Sequence, residues 1–469
     1  MSTLSLDSPD SLPPGPTVAP AIQTARWLMR PIAFMESCRR RHGDSFSVQF
    51  LGFERPMVML SDPEAIRALY TAHEHGLPPG RTIALLPIMG PSSILLLEGR
   101  EHLSRRKLML PPFHGERMRA YEDTVREVAL REIDSWPIDR PFALHPSMQS
   151  VTLEVILRAV FGVTDPARGA QLRRLLPLLL SETASPALQF RVLLSRRLGL
   201  SSRSDGSGRG DLLQRLARLI GEIDEVLLAQ IAERRSDPAL AEYDDILSLL
   251  LTARFEDGTA MSDREIRDQL VTLLLAGHET TATALAWTFD LLLHYPATLS
   301  RLTAEVDAGE DAYLRAVISE SLRLRPVVPL AGRRLASDLN VDGLRLPAGT
   351  DVTPAIWLTH TRADLYPEPY AFRPERFLED SPATYGWIPF GGGIRRCLGA
   401  AFAEMEMRVV SQAILQRAVL TPASPQLERP TRRNVTFSPR QRTMVRSVRR
   451  SVTPVGSGAP VQRVPAAVA

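Results

Sequence analysis

Apolar residues recur at spacings of three and four from about residue 117 to residue 325, which is the pattern of helices with one buried face. The pattern is interrupted at Pro137, at Pro166 and in the serine- and glycine-rich stretch 201–210, where proline or glycine opposes helix. The middle of the chain is therefore predicted to be a succession of helices joined by short loops.

The flanking regions follow a different pattern. Short runs at 45–51 and 56–60 alternate or are wholly apolar, which predicts strands, and the following Asp62-Pro63-Glu64 is typical of a helix start. Alternation returns at 331–353, with glycine and proline turns. The sequence thus predicts a mainly α fold with small β-sheets.

One predicted helix is much longer than the others. The residues from Ser262 to Glu265 form a capping box, and the next proline is Pro296, so a helix is predicted over 263–295. At 1.5 Å per residue it would be roughly 50 Å long and would cross a whole domain. Its middle, at 276–281, reads AGHETT, where a core helix should be apolar. We interpret these polar residues either as a locally satisfied kink or as a groove across which a ligand lies.

Composition excludes several classes of protein. The chain has 469 residues, and 56 Lys and Arg are offset by 53 Asp and Glu, leaving a formal charge of +3. This balance argues against a protein that coats nucleic acid. Two cysteines, Cys38 and Cys397, are too few for a disulfide framework and favour a reducing compartment.

The ends of the chain are predicted to lie outside the domain. Residues 1–20 are polar and proline-rich, as in an extended arm, and 451–469 are predicted to be a disordered tail. Between them, 21–450 is expected to form one domain, in which 434–438 and 443–448 suggest a basic hairpin. No apolar run reaches the ~20 residues of a membrane span, so we expect a cytoplasmic protein without a membrane anchor.

The chemistry concentrates around Cys397. Three consecutive glycines, 391–393, permit positive φ and a close approach of the backbone, and they lead to this cysteine at the start of a final helix expected from about 397 to 419. A helix start and the adjacent Arg395 favour thiolate over thiol. Such a cysteine is a nucleophile, a metal ligand or an inert buried thiol, and this segment alone leaves the three open.

A family resemblance narrows the choice. Phe390, Gly393, Arg395, Cys397 and Gly399 match every position of F-x-x-G-x-R-x-C-x-G, so the segment resembles the haem-binding loop of the cytochromes P-450. Three further elements occur in the family's order: A-G-x-[DE]-T-[TS] at Ala276–Thr281, E-x-x-R at Glu320 and Arg323, and P-E-R-F at Pro374–Phe377. The resemblance spans roughly residues 10–450.

The resemblance implies the cytochrome P-450 fold, with haem b (iron protoporphyrin IX) between the long distal helix and the proximal cysteine loop. Cys397 looks like the axial thiolate ligand. Backbone donors of the loop, which runs from Phe390 to Gly399, would tune its sulfur. Glu320 and Arg323 alone would be an ordinary surface ion pair, but with a third residue, Arg376, they resemble the family's Glu-Arg-Arg cluster, which has a structural role.

Haem propionates need cationic partners. By resemblance these are Arg395, His102 and Arg106, the last two from a segment similar to the family's W-x-x-x-R helix. Arg333 matches a further propionate ligand, although a shift of one residue in register would give that role to Arg334.

On the distal side, the resemblance assigns roles to the middle of the long helix. Gly277 would let oxygen and substrate approach the helix. Thr280 resembles the hydroxyl that orients a delivered proton, and Glu279 resembles the acid of the relay from solvent. The intervening His278 has no such role and is expected to be packed or to face solvent rather than to bind iron.

The function implied by the resemblance is that of a haem-thiolate monooxygenase, which inserts one atom of O2 into an apolar organic substrate by hydroxylation or epoxidation. The chain has no flavin or ferredoxin module, so electrons would come from an external ferredoxin and its reductase, and a monomer is expected. The alternatives are a peroxide-using peroxygenase or isomerase, and a non-enzymatic haem-thiolate sensor. The substrate pocket would draw on apolar residues: Ile83, Leu85, Leu86, Leu273, Val327, Val328 and Leu330.

Overall fold

A computed structural model describes residues 12–51, 53, 55–72, 86–113, 115, 117–183, 209–341, 343–379, 382–433 and 435–450. Residues 1–11 of the predicted arm, most of the stretch 201–210 and the predicted tail 451–469 lie outside this range. The helices are α1 Pro20–Met29, α2 Pro31–His42, α3 Pro63–Thr71, α4 Leu86–Met89, α5 Gly99–Met109, α6 Arg117–Asp134, α7 Leu144–Val155, α8 Pro166–Thr183, α9 Arg209–Ser236, α10 Ile246–Thr252, α11 Asp263–His294, α12 Pro296–Asp307, α13 Ala312–Leu324, α14 Ile356–His360, α15 Arg376–Glu379 and α16 Ala400–Arg417.

The strands are short and form small sheets, as the sequence predicts. They are β1 Ser45–Val48, β2 Met57–Leu60, β3 Phe142–Ala143, β4 Arg333–Arg334, β5 Leu339–Val341, β6 Leu344–Leu346, β7 Asp351–Pro354, β8 Ala418–Pro422, β9 Pro430–Arg433, β10 Thr436–Pro439 and β11 Met444–Arg449. Four of them form a sheet in the order β1-β2-β7-β4, and three form a sheet in the order β3-β11-β8. The pairs β5-β6 and β9-β10 are separate ribbons.

The predicted C-terminal hairpin has the wrong strand partners. The segment 434–438 does not pair with 443–448; instead β10 folds back on β9, with Thr436 opposite Arg433. Strand β11 pairs with β8, placing Ser447 opposite Leu420. Helix α16 leads directly into β8, so a sheet partner distant in sequence replaces the local one.

Helix α11 is the predicted long helix and the centre of the core. It runs over 263–294 and begins with the expected capping box, in which Ser262 and Glu265 bond each other's backbone N–H groups. Helices α7, α9 and α13 pack around it. Most of its residues are buried, including the large side chains Trp287 and Phe289. Because of this central position, α11 forms one side of the candidate site.

The final helix begins later than predicted. Helix α16 spans 400–417, and Gly399 is its N-cap, so Cys397 precedes the helix rather than opening it. The other cysteine, Cys38, is buried among Phe34, Met35 and Phe46, and burial raises the pKa of its thiol to about 11. Within the described part of the chain, no helix combines the length and apolarity needed to cross a membrane.

Candidate functional site

The glycine loop before Cys397 is shaped by a tyrosine. Gly391 and Gly393 have φ of 67° and 62°, as the run of glycines suggests. A Cβ on Gly392 would lie 2.5 Å from the Tyr70 ring, and one on Gly393 would lie 2.7 Å from the Tyr70 carbonyl oxygen. The close approach that the glycines permit is therefore an approach to the end of α3, which the sequence did not indicate.

Cys397 is held by backbone contacts from both directions. Its N–H donates to the Phe390 carbonyl at 2.9 Å, and the Gly399 N–H bonds its sulfur. The side chain reaches accessible space although protein atoms surround it closely. Burial raises the pKa of the thiol, while Gly399, Arg106 and Arg396 act in the opposite direction. The predicted preference for thiolate, from a helix start and the nearby Arg395, is opposed here by burial, which is the largest influence on the pKa of this thiol.

Phe390 anchors the start of the loop through aromatic packing. Its ring lies edge-on to Trp387 with centroids 6.3 Å apart, and Trp387 packs in the same manner against Phe377 of the P-E-R-F element. The Trp387 indole N–H donates to the Ser319 carbonyl on α13 at 3.2 Å. These contacts hold the start of the loop that carries Cys397 against α13.

The E-x-x-R pair is not on the surface. Glu320 and Arg323 are fully buried and form a two-armed ion pair, with nitrogen–oxygen distances of 2.6 and 2.8 Å. Arg376 Nε reaches the same carboxylate at 3.1 Å, and the Arg373 backbone N–H reaches it at 2.9 Å. The three side chains thus meet in one closed cluster, whose remaining Arg323 donors bond backbone carbonyls.

His360, which no sequence motif indicated, connects this cluster to the cysteine loop. Its Nδ1 lies 3.2 Å from the Arg323 carbonyl, and its Nε2 accepts the Ile388 N–H at 2.9 Å. Burial lowers the pKa of this fully enclosed imidazole to about 3, so it is neutral. One N–H and one bare nitrogen match these two contacts, so the ring bridges them without carrying charge.

The residues expected to bind propionates form a second group of basic side chains, here called the open cation group: His102, Arg106, Arg333 and Arg395. Neighbouring arginines in this group lower the pKa of His102, after burial as the main cause, to about 4. Burial and the same neighbours lower the pKa of Arg395 to about 10. Basic side chains that suppress one another's charge point to an anionic ligand.

Several donors in this region have no partner among the described residues. They are His102 Nδ1, Arg333 Nε, Arg395 Nε and the Tyr70 hydroxyl, all buried atoms. Arg334, the alternative to Arg333, is instead paired with Asp351 through two bonds of 2.7 and 2.8 Å. The structure therefore brings Arg333, and not Arg334, to the open cation group.

The segment 90–97 joins the cysteine loop to the long helix. Arg395 donates to the Ile94 and Leu97 carbonyls at 3.2 and 2.6 Å, and the Ile94 N–H donates to Gln269 of α11 at 3.0 Å. A further bond links Ser93 to the Thr272 hydroxyl at 2.7 Å. One strip of backbone thus ties both sides of the site together.

Helix α11 has one accessible stripe within a buried surface. Leu273, Ala276, Gly277 and Thr280 are partly or fully exposed, and they recur at the spacing of one helix face. A Cβ on Gly277 would meet only Ile156, at 3.6 Å, so the helix surface is open there. The AGHETT segment is consequently a groove floor rather than a packed kink.

Glu279 and Thr280 face different neighbours. The Thr280 hydroxyl donates to the Ala276 carbonyl at 2.5 Å, whereas Glu279 accepts a 2.5 Å bond from Gln149 on α7. Burial raises the pKa of Glu279, and the Gln149 contact opposes that rise. His278 is buried, bonds the Gln149 backbone and has its pKa lowered by burial to about 4, so it is packed as expected. The acid and the alcohol are adjacent but not hydrogen-bonded to each other.

The expected pocket residues are only partly described. Ile83, Leu85 and the Leu86 side chain lie outside the described part of the chain, whereas Leu273 lies on the accessible stripe of α11. Val327 is buried in the core, and its carbonyl accepts the Phe437 N–H at 2.8 Å, so it does not line an open surface.

Comparison with protein families gives one match over most of the chain. Residues 9–444 match the model of the family described as Cytochrome P450. A relative named cytochrome P450 135B1 from Mycobacterium bovis is 41% identical over 468 residues, covering 96% of each chain. Cytochrome P450 137 from Mycobacterium tuberculosis is 41% identical over 408 residues, covering 87% of this chain and 83% of that protein.

Solved structures share the fold. The cyanobacterial CYP120A1 with retinoic acid bound has a TM-score of 0.79 at 24% identity, covering 93% of this chain and 99% of its own. The haem domain of cytochrome P450DA has a TM-score of 0.81 at 21% identity, covering 94% of this chain and 97% of its own.

Proposed function

Since this chain belongs to the cytochrome P450 family, we propose that it hydroxylates or epoxidises an apolar organic substrate with one atom of O2, using electrons from an external redox partner. Membership of this family supports in general a haem-thiolate monooxygenase, with protoporphyrin IX haem as cofactor. The observation that carries the proposal is the occurrence of an accessible cysteine together with a group of basic side chains whose buried nitrogens have no partner among the described residues.

The residues fit haem on two independent points. His102, Arg333 and Arg395 each keep a buried nitrogen that no described residue contacts by a hydrogen bond, which suits two propionates. Across the site, the Gly277 stripe leaves the surface of α11 open to a flat ligand. Cys397 would hold the iron through its sulfur, and the positive charge of the iron would supply the preference for thiolate that burial removes.

Further contacts to the propionates follow from the same geometry. Arg106 is half-buried, and it is close enough to Cys397 for the two to affect each other's pKa. The Tyr70 hydroxyl is buried without a partner near Arg333, and we add it to the propionate ligands. Phe390 and Gly399 would hold the sulfur in place through the backbone.

Bound haem would supply the activation of O2, and the chain would supply its protons and exclude bulk water. Thr280 lies on the accessible stripe, so its hydroxyl can orient a proton toward the reacting oxygen. Glu279 immediately precedes it on the helix, and the raised pKa of its carboxyl makes it a proton donor closer to neutral pH than an ordinary glutamate. The intact acid–alcohol pair favours O2 chemistry over the peroxygenase, isomerase and sensor alternatives.

Other features stay predictions from the sequence. These are the external ferredoxin and reductase, the monomeric state, the cytoplasmic location and the limits of the domain at 21–450. The substrate class rests on the apolar lining, and the retinoic acid bound to CYP120A1 suggests one candidate for a Soret-shift screen alongside fatty acids, steroids and terpenes.

Substitution of the two cysteines tests the ligand assignment. Cys397→Ala should abolish the thiolate signature in the spectrum of the reduced, CO-bound protein, because no other described cysteine adjoins the site. Cys38→Ala is the matched control and should keep that signature, since Cys38 lies in a separate core. A Cys397→Ala protein that retains the thiolate spectrum contradicts the assignment.

Removal of the Thr280 hydroxyl tests the reaction. Thr280→Ala should uncouple electron consumption from product formation and release peroxide. Thr288→Ala is the control, because the Thr288 hydroxyl also donates to the carbonyl four residues earlier, that of Ala284, at 2.9 Å. Thr288 is buried away from the accessible stripe, so this variant should leave coupling unchanged. Equal coupling in both variants would remove Thr280 from proton delivery.

A further inference from the structure

The Glu279 carboxylate is held by side chains that no sequence motif singles out. Gln149 Nε2 donates to one carboxylate oxygen at 2.5 Å. The Thr283 hydroxyl donates to the other at 3.4 Å, and His145 Nε2 lies 3.5 Å from that same oxygen. Gln149 and His145 come from α7, and Thr283 comes from the next turn of α11. We call these three residues the carboxylate latch.

The number of protons available on Thr283 and His145 determines which group donates in each of these hydrogen bonds. A hydroxyl has one proton, so when Thr283 donates to Glu279 it must accept from His145 Nε2, 3.1 Å away. The proton of a neutral His145 then belongs on Nε2, and Nδ1 is the bare nitrogen. This agrees with Nδ1, which is buried and has no partner among the described residues. The latch therefore presents only donors to Glu279.

The surrounding charges keep His145 uncharged. It is completely buried, and burial, followed by the nearby Arg433, His278 and Arg442, lowers its pKa to about 3. Glu279 faces Arg433 as well, and about a quarter of its side chain, 24%, is exposed. The carboxylate thus has a route to solvent, while the latch beneath it does not titrate near neutral pH.

We propose that Gln149, Thr283 and His145 are positioning residues that hold Glu279 against α7 while it is charged and release it when it is protonated. A set of pure donors binds a carboxylate well and a carboxylic acid poorly, because protonation removes the negative charge that the donors share. Release leaves the acid free to turn toward the Thr280 hydroxyl, whose only bond within the described part of the chain is to the Ala276 carbonyl.

The proton balance closes over one cycle. Solvent gives a proton to a Glu279 oxygen, and the latch contacts weaken. The acid passes this proton to the Thr280 oxygen as the Thr280 hydroxyl gives its own proton to the reacting oxygen, so no charge accumulates on the threonine. Glu279, again a carboxylate, is then recaptured by the latch. This inference rests on the proposed role of the acid–alcohol pair.

The titration of Glu279 itself tests the latch without turnover. The infrared carbonyl band of protonated Glu279, assigned by its loss in Glu279→Gln, can be followed against pH in the full-length CO-bound ferrous protein. Gln149→Leu and Thr283→Val each remove one donor to the carboxylate, so the midpoint should rise by about one pH unit in each. Thr283→Ser keeps the hydroxyl and should restore the original midpoint.

A control and a second signal separate the latch from a packing effect. Ser150→Ala removes the hydroxyl next to Gln149, which bonds only the Pro146 carbonyl among the described groups, and should not move the midpoint. In the same diamagnetic protein, ¹⁵N spectra should show His145 protonated on Nε2, with a chemical shift that changes at the Glu279 midpoint. Unchanged midpoints in both Gln149→Leu and Thr283→Val, or a proton on His145 Nδ1, would overturn the latch.

These outcomes differ from failure of the proposed function. A CO-bound spectrum without thiolate, or coupling that is insensitive to Thr280, would refute the function while leaving the titration readable. Normal coupling and spectrum with no effect of the latch variants on the midpoint would refute the latch alone.

Discussion

Two arginine-rich regions flank the cysteine loop, and they solve the problem of buried charge in opposite ways. In the closed cluster, Arg323 and Arg376 share the Glu320 carboxylate, and the spare donors of Arg323 bond carbonyls of the chain. In the open cation group, Arg333 and Arg395 bond a few carbonyls, but among the described residues they form no ion pair with a carboxylate and keep unpartnered nitrogens. The chain supplies a shared carboxylate to the first region, and we expect a ligand to supply the negative charge in the second.

From this difference we expect the closed cluster to serve the fold and the open cation group to serve the cofactor. Breaking a buried ion pair leaves an uncompensated charge, so the closed cluster should matter with or without haem. Removing one of several like charges relieves repulsion in the absence of an anion and loses attraction in its presence. The two regions are therefore expected to respond to substitution with opposite dependence on haem.

The largest expected effect is at the closed cluster. Glu320→Gln removes the charge shared by two buried arginines, and it should lower the free energy of unfolding by about 3–5 kcal/mol in both apo- and haem-bound protein. Denaturant unfolding of the two forms measures this. Arg373→Ala is the control, because the Arg373 side chain forms an exposed pair with Glu379, whose loss should cost at most about 1 kcal/mol. A Glu320→Gln protein as stable as the control would contradict the comparison.

Glu406 shows a third solution, in which a buried acid without a charged partner stays protonated. It is buried on α16, and burial raises its pKa to about 8. Because this pKa is raised above the unfolded value, the free energy of unfolding should fall as pH rises from about 4.5 to about 8, by up to about 4 kcal/mol. Glu406→Gln should flatten this fall in urea titrations at several pH values. An equal slope in both proteins would show that Glu406 is paired after all.

A smaller effect is expected at Arg333, with a sign that depends on haem. Arg333→Leu should weaken haem binding by about 10- to 100-fold, the effect of losing a charged hydrogen bond, without destabilising the apoprotein. Haem transfer to apomyoglobin and apoprotein unfolding measure the two quantities. Arg334→Leu should do the reverse, destabilising both forms through the buried Asp351 while leaving haem affinity unchanged. Identical behaviour of the two variants would erase the distinction between neighbouring arginines.

The smallest effect is expected at Tyr70. Tyr70→Phe removes a buried hydroxyl that lacks a partner, so the apoprotein should be as stable or slightly more stable. Haem affinity should fall only a few-fold, corresponding to about 1 kcal/mol for a single hydrogen bond. Unchanged haem affinity would remove Tyr70 from the propionate ligands and leave it as the packing partner of the glycine loop.

Much of the fold and the proximal site could be predicted because the information is local. The capping box at Ser262 fixed the start of the long helix, since its two bonds lie within one turn. The spacing from Phe390 to Gly399 indicated the cysteine loop, because the glycines that its backbone conformation requires lie within that same segment. The same segments and their order were enough to indicate the family.

Contacts between distant segments were decided only by the tertiary structure. Pairing of β11 with β8 rather than β10 depends on where α16 ends. The alternation of apolar and polar residues within β11 does not specify which strand it pairs with. The glycines fit Tyr70, which lies far earlier in the chain, and Arg333 differs from Arg334 only because Asp351 lies opposite one of them. Burial likewise set the direction in which the pKa of Cys397 moves, and packing set the partners of Glu279. The sequence determined which chemical groups are present, whereas the packing of distant segments determined which of them remain without a partner.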